Sequence, residues 1–258
     1  PKIRIPVPAM PDRAKVSGIA FVEFAAGEAE ERELEALFTV LGFSAVARHR
    51  SKAVTLYRQG EINLIINREE KGFANASYLV HGANAYAFGL TVDDAVLAHK
   101  RALELGAEDF RQSVGPDEMQ VPAIRGLGGG LVYFLDGKSD LGRIFETEFT
   151  PIDGGTEAGD DAGLTRIDHI AQTTRYEDML TWLLFYTSQL DAQKTPMVDI
   201  IDPAGLVRSQ VIETADGRMR ITLNGAENRN TLAGRFIAET FGSGIQHIAF
   251  ETPEIFST

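Results

Sequence analysis

Two short segments in the C-terminal part of the chain each place one histidine in the pattern I-x-H-I-A. They are residues 167–171 and 245–249, and the histidines are His169 and His247. Alternating residues of this kind predict a strand, with each histidine on the face opposite its two sequence neighbours. Because neutral imidazole is a common metal ligand, two matched strands could bring both rings to one ion. The alternative is that both histidines are core residues with satisfied hydrogen bonds.

The histidine strands open the third and fourth copies of a repeated unit, and the earlier copies open near residues 19 and 86. Helix-like runs follow the first three openings, at about residues 34–41, 95–105 and 176–190. Strand-like segments come after each helix. Repetition at this spacing predicts an α+β fold of repeated β-α-β-β-β modules, with two modules in each half. We expect Phe21 and Phe88 to occupy the positions that His169 and His247 hold in the second half.

A hairpin in the third unit adds a second piece of geometry. If Asp216 and Gly217 form the turn, cross-strand pairing follows from the numbering. The pairs are Ser209 with Asn224, Val211 with Thr222, and Glu213 with Arg220. The opposite face carries Gln210, Ile212, Ile221 and Leu223, and it should pack on the unit's helix. The first face is either solvent-facing surface or the lining of a cavity, in which Ser209 and Asn224 offer hydrogen bonds beside a metal.

Composition limits the partners and the chemistry. The formal charge of −12 argues against a nucleic-acid partner, because such binding needs clustered Lys and Arg. The absence of cysteine excludes disulfides and thiolate chemistry. No apolar run approaches the roughly 20 residues of a membrane span, and no signal peptide is visible. We therefore expect a soluble cytoplasmic protein. The glycine-rich polar stretch at 153–163 predicts a linker between residues 1–152 and 164–258.

Other candidate residues are weaker. Gly126, Gly128, Gly129 and Gly130 lead into a strand and not into a helix N-terminus, which disfavours a phosphate site. His49, His81 and His99 are interpreted as surface or structural residues. Glu251 lies four residues beyond His247, roughly 13 Å along a strand, so it could join that histidine on one metal only after a sharp bend.

The order of several residues in the second half resembles the 4-hydroxyphenylpyruvate dioxygenase family of the vicinal oxygen chelate superfamily. They are residues 166–170, then Ser209, Asn224 and residues 244–249. The resemblance covers essentially the whole chain. It implies four β-α-β-β-β units, of which only the second pair holds Fe(II) or another divalent metal. It further implies His169 and His247 as metal ligands, and Ser209, Asn224 and Gln246 as substrate-binding side chains.

Two departures from the family pattern matter. The family's third metal ligand is a glutamate late in the fourth unit, so we expect a carboxylate after Thr258 and a second half that is truncated in its last module. We therefore expect weak metal affinity and little turnover from this chain alone. In addition, Leu232 stands where the family commonly has a pocket glutamine, which would loosen or change recognition of an aromatic ring.

The opening segment points more narrowly. Residues 4–8 and 16–24 look like the junction in bacterial fusion proteins in which a 3-dehydroshikimate dehydratase barrel precedes a dioxygenase-like half. A chain that begins at Pro1 would suit a piece of such a protein.

Three functions follow as expectations. The first is an iron-dependent dioxygenase that uses O2 and a small aromatic 2-oxo acid. The second is a non-catalytic accessory half of a 3-dehydroshikimate dehydratase. The third is a binding module of the same fold. We expect a homo-oligomer, with neither a nucleic-acid nor a membrane partner.

Overall fold

The computed structural model describes residues 10–153 and 162–256. The first module follows the predicted order, because apolar residues alternate in its strands and recur at helical spacing between them. Its elements are β1 (Val16–Ala25), α1 (Glu28–Val40), β2 (Ser44–His49), β3 (Val54–Gln59) and β4 (Ile62–Asn67). Gly42 follows the end of α1 with a φ of 84°, a left-handed conformation that glycine adopts without Cβ strain.

The second module has the same order and is preceded by a helix that the repeat pattern did not predict. Its elements are α2 (Gly72–His81), β5 (Asn84–Val92), α3 (Ala95–Glu104), β6 (Asp109–Phe110), β7 (Ala123–Arg125) and β8 (Leu131–Leu135), and they are followed by α4 (Ile144–Thr147) and β9 (Phe149–Pro151). The carboxylate of Asp94 caps α3 by accepting a hydrogen bond from the Leu97 amide at 2.9 Å.

The third module again opens with a strand and a helix. Its elements are β10 (Arg166–Arg175), α5 (Tyr176–Gln189), β11 (Gln193–Lys194), β12 (Val198–Asp202), β13 (Gly205–Glu213) and β14 (Arg220–Ala226). A second unpredicted helix, α6 (Leu232–Glu239), leads to β15 (Gly244–Glu251), which is the described part of the fourth module. The α+β prediction of repeated β-α-β-β-β modules is confirmed.

The strands form two sheets. One has nine strands in the order β6-β7-β8-β5-β1-β4-β3-β2-β9. The other has six, in the order β11-β13-β14-β10-β15, with β12 paired to β13. Residues 154–161, most of the predicted linker, lie outside the described residues. No helix in the described ranges is long and apolar enough to cross a membrane.

One apolar cluster runs through both halves. It includes Phe43 from the first module and Ile170, Tyr186 and Leu223 from the third. The rings of Phe43 and Phe250 join the two sheets, with centroids 5.6 Å apart. The faces that carry the predicted site residues therefore point away from this shared core.

The hairpin of β13 and β14 has the predicted register. Ser209 pairs with Asn224, Val211 with Thr222, and Glu213 with Arg220. On the other face, Ile212, Ile221 and Leu223 are fully buried in the shared core together with side chains of α5, as predicted.

The expected equivalence of Phe88 and His247 is wrong by one residue. β1 and β5 pair in the same register as β10 and β15, including the same irregularities, which gives Phe21 the position of His169 but gives Ala87 the position of His247. Because a one-residue shift reverses the face of every side chain, Phe88 instead packs into the shared core. The expectation for Phe21 agrees with the register.

Candidate functional site

A β-bulge decides where His169 points. The pairing of β10 with β15 shifts between Ile167 and His169, which leaves Asp168 as an extra residue. Ile167 and Ile170 both face the shared core, so Asp168 and His169 lie together on the other side. The predicted strict alternation is therefore wrong at this point. We call this non-core surface of the second sheet the C-terminal cup.

A second irregularity in the pairing of β10 and β15 decides where His247 points. The register of β10 and β15 shifts again between the pairs Ala171–His247 and Gln172–Ile245, which leaves Gln246 as the extra residue. Ile245 and Ile248 pack against the shared core. Gln246 and His247 consequently lie on the same side as His169.

The two imidazole rings meet in the C-terminal cup. Their centroids are 5.6 Å apart and their planes are inclined at 80°. Two imidazoles that bind one ion, each through a nitrogen at about 2.1 Å, have centroids about 5 Å apart. The separation is therefore close to that of a shared metal site.

His169 is oriented by a carboxylate. Its Nδ1 lies 2.8 Å from Asp168 Oδ2, so Nδ1–H can donate to the carboxylate and Nε2 remains for a metal. Arg220 donates to Asp168 Oδ1 at 2.6 Å and to Glu213 Oε2 at 3.0 Å. This chain of contacts fixes the plane of the His169 ring.

The electrostatics favour a neutral His247 beside an ionised Asp168. Burial raises the pKa of Asp168, but the His169 hydrogen bond and the Arg220 charge outweigh it, so the net shift is downward. The His247 side chain is exposed on a half-buried strand, yet partial desolvation and then the neighbouring His169 lower its pKa. Neutral imidazole is the form that binds a metal.

The polar face of the hairpin is not solvent-facing surface. Ser209 and Asn224 are both buried. Asn224 Oδ1 has no hydrogen-bond partner in the described part of the chain. A buried amide oxygen without a partner is costly, and a bound ligand that donates a hydrogen bond would remove that cost. Thr173, which pairs with Asn224, donates to Gln246 Oε1 at 2.7 Å.

The donor set is incomplete for a tightly bound metal. Within residues 10–153 and 162–256, no group of three or more His, Cys, Asp or Glu side chains is placed to hold an ion. Glu251 instead forms an ion pair with Arg166. Two imidazole nitrogens suit a borderline divalent metal that takes further ligands.

The remaining sequence candidates lie elsewhere. Leu232 is the first residue of α6 and is 70% exposed. His81 Nδ1 lies 2.5 Å from the carbonyl of Thr240, and His99 Nε2 lies 2.8 Å from Asp109. His49 Nε2 is 3.5 Å from Glu148. All three histidines have structural partners, as expected.

Sequence reasoning missed the residues that hold the site together. The predicted hairpin pairs Glu213 with Arg220 but does not connect Arg220 to Asp168, because strict alternation puts Asp168 on the opposite face of the sheet. Thr173 was also missed. The register of the hairpin gives only Ser209 as the partner of Asn224, and Thr173 is placed beside Asn224 only by the pairing between β10 and β14.

Comparison with known proteins agrees with this geometry. The family model described as hydroxyphenylpyruvate dioxygenase, HPPD, N-terminal, matches residues 12–150. A 3-dehydroshikimate dehydratase from Pseudomonas aeruginosa is 37% identical over 249 residues, which are 96% of this chain and 39% of that protein. A 4-hydroxyphenylpyruvate dioxygenase from a Pseudomonas species is 35% identical over 244 residues, which are 93% of this chain and 67% of that protein.

A solved structure extends the comparison. A xylose isomerase-like TIM barrel/4-hydroxyphenylpyruvate dioxygenase fusion protein superposes with a TM-score of 0.77 at 35% identity, over 96% of this chain and 38% of that one. The chain thus spans well under half of the dehydratase and of the fusion protein. It belongs to the hydroxyphenylpyruvate dioxygenase family.

Proposed function

We propose that this chain is a 4-hydroxyphenylpyruvate dioxygenase-like domain in which His169 and His247 bind one divalent metal, preferentially Fe(II). The observation that carries the proposal is the approach of the two imidazoles, with centroids 5.6 Å apart, on paired strands of a repeated module. A bound Fe(II) supplies the activation of O2 and the oxidative decarboxylation of an aromatic 2-oxo acid. The chain's own residues position the reactants.

Each residue of the C-terminal cup has a distinct task in this proposal. Asp168 keeps the Nδ1 proton of His169, so that Nε2 faces the metal. Asn224 and Ser209 offer hydrogen bonds to the substrate without adding charge. Gln246, held by Thr173, forms the side of the substrate site next to His247. Because Asn224 and Ser209 are buried, a substrate group that reaches them is shielded from water.

The substrate assignment is tested by calorimetric titration of 4-hydroxyphenylpyruvate into the chain with and without Co(II). We expect binding that requires the metal, is lost in His247→Ala and weakens about tenfold in Asn224→Leu, because a hydrogen bond to a buried amide is removed. His99→Gln is the matched control, since that histidine lies outside the cup. Metal-independent binding would refute the assignment.

O2 consumption separates a dioxygenase from a binding module of the same fold. The chain is loaded with Fe(II), and O2 uptake is followed with and without 4-hydroxyphenylpyruvate. Uptake that depends on this substrate supports dioxygenase chemistry, whereas binding without uptake supports a binding module. Two histidines alone hold a metal weakly, so we expect an Fe(II) Kd above about 1 μM. Sub-micromolar binding would contradict this expectation.

The relatives favour one second candidate, an accessory role beside a dehydratase domain. A region similar to this chain makes up 39% of the 3-dehydroshikimate dehydratase of Pseudomonas aeruginosa and 38% of the fusion protein of known structure. In that role the chain helps the larger protein to assemble. The sequence predicts two halves, residues 1–152 and 164–258, joined by a linker at residues 153–163. Light scattering tests it: a stable homo-oligomer without substrate-dependent O2 uptake favours the accessory role, whereas a monomer argues against it.

A further inference from the structure

The N-terminal half has its own cup, formed by the non-core face of the first sheet, and its chemistry differs. Phe21, at the position equivalent to His169, lies opposite Gly89. A Cβ atom on Gly89 would come within 2.3 Å of the Phe21 ring, so the ring packs directly over the glycine backbone. Ala87 holds the position of His247. An apolar floor therefore replaces the metal ligands, and this N-terminal cup is not a second metal site.

A cavity of about 120 Å³ remains inside the N-terminal cup. Aromatic side chains form much of its wall. The rings of Phe21 and Tyr133 lie 5.7 Å apart, and Phe145 stands edge-on to Phe21 at 6.1 Å. An apolar cavity of about 150 Å³ accepts one benzene ring, so the available space suits a single small ring.

Polar groups also line the cavity, beside its apolar floor. Glu23 is 9% exposed and accepts a hydrogen bond from Asn67 Nδ2 at 2.9 Å. Asn67 Nδ2 also lies 3.2 Å from the hydroxyl of Tyr86. Burial raises the pKa of Glu23, although hydrogen bonds from Tyr86 and Asn67 and the charge of Lys52 oppose the rise. A carboxyl group accepts hydrogen bonds in both protonation states and also donates one when it is protonated.

Charges around the cavity are already paired. Lys52 contacts Glu118 at 2.8 Å, and Arg50 contacts Glu148 at 3.2 Å. His49 has a lowered pKa, first because of burial and then because of Lys52, which favours its neutral form. Among the described residues that line the cavity, no side chain therefore offers an unpaired positive charge to an anion. A carboxylate would also be buried beside Glu23, which is unfavourable for both groups.

A coil segment, residues 111–122, forms one side of the cavity. Val114, Met119 and Val121 of this segment line it. Glu118 fastens the segment by contacts to Lys52 and Ser51. The cavity wall is thus held by specific ion pairs and hydrogen bonds, which preserves its shape.

We propose that the N-terminal cup is a second binding site, separate from the histidine pair, for a neutral single-ring aromatic compound that carries one hydroxyl group. The ring packs against Phe21, Tyr133 and Phe145. The hydroxyl group exchanges hydrogen bonds with the Glu23 carboxyl group beside Asn67. The ligand belongs to the phenol class, and neither the bare hydrocarbon nor an aromatic carboxylate fits as well.

The test uses three matched fluorine probes: 4-fluorophenol, fluorobenzene and 4-fluorobenzoate. Their binding to the full 258-residue chain is measured by ¹⁹F NMR titration without added metal. We expect 4-fluorophenol to bind at least tenfold more tightly than the other two. Glu23→Leu removes the polar partner and should reduce this preference over fluorobenzene to less than threefold. Glu23→Gln keeps a neutral hydrogen-bonding group and should retain it.

Thermal unfolding shows whether each variant is folded, and Glu23→Gln provides an independent readout if Glu23→Leu does not fold. Failure of 4-fluorophenol to saturate the wild-type chain overturns the proposal. So does an unchanged preference in a folded Glu23→Leu variant, or loss of the preference in a folded Glu23→Gln variant. Binding that is lost in Asn224→Leu would place the ligand in the C-terminal cup and would also refute it.

Discussion

Replacement of Gly128 by alanine should push apart two backbone segments, one from each half, that are in close contact. A Cβ atom there would lie 1.9 Å from the carbonyl oxygen of Ser243 and 2.7 Å from its carbonyl carbon. Ordinary contacts begin near 3.4 Å, so two backbone segments must move apart by more than about 1 Å. Overpacking of this kind costs about 1–3 kcal/mol. The positive φ of 67° adds about 1 kcal/mol for a residue with a side chain.

Gly129 provides the matched control. Its φ is 79°, yet a Cβ atom would meet nothing within 4 Å. Gly129→Ala should therefore lose only the unfolding free energy that its positive φ costs, about 1 kcal/mol. We expect Gly128→Ala to lose about 2–4 kcal/mol of unfolding free energy, measured by urea denaturation followed by circular dichroism.

The contact also bears on the proposed metal site, because Ser243 directly precedes β15, the strand that carries His247. Gly128→Ala should weaken Co(II) binding more than Gly129→Ala does. Equal unfolding free energies for the two variants would refute the close-contact reasoning, since both share the same backbone strain and differ only in the clash.

Three further variants test other parts of the structure. Asp168→Asn should weaken Co(II) binding about 10- to 100-fold by releasing the His169 ring, as measured by calorimetry, and unchanged affinity would contradict that positioning role. Glu23 has a raised folded pKa, so its contribution to stability is greatest below its ordinary value of 4.5 and falls as the pH rises through the folded pKa. The urea midpoint of Glu23→Gln should therefore exceed that of the wild type, and the difference should be larger at pH 7 than at pH 4. A difference that does not change with pH would count against a raised pKa of Glu23. Tyr186→Phe leaves the buried Gln172 Oε1 without its 2.7 Å donor and should cost about 1–3 kcal/mol in the same assay; a loss below about 0.5 kcal/mol would mean that another donor replaces it.

The repeat and the hairpin could be predicted because they depend on local spacing. Gly42 and Asp94 mark helix ends through their own conformational and capping properties, and the Asp216–Gly217 turn fixes the register of β13 and β14. These features need no knowledge of distant contacts.

The bulges could not be predicted in the same way. Whether Asp168 is an extra residue depends on its pairing with β15, almost eighty residues away in sequence. The same limitation produced the incorrect equivalence of Phe88. Helices α2 and α6 were missed because they join modules and do not belong to the repeat itself. The role of Gly128 was invisible because its close neighbour, Ser243, is far away along the chain.

The contrast between the two cups follows from a few substitutions on one scaffold. Phe21 over Gly89 gives the N-terminal cup an apolar floor, whereas His169 opposite Ala249 leaves an imidazole facing His247 in the C-terminal cup. The shared pairing of strands shows how one backbone can carry an aromatic cavity or a pair of facing imidazole rings.

The shared metal site is tested most directly by Co(II) titration of the wild type, His169→Ala, His247→Ala and the double variant. If the two rings bind one ion, the wild type binds a single equivalent, and each single variant loses at least tenfold in affinity. The double variant should then be little worse than either single variant, because the shared site is already broken. Additive losses, or two equivalents of metal in the wild type with one lost in each single variant, would show two independent sites and contradict the account.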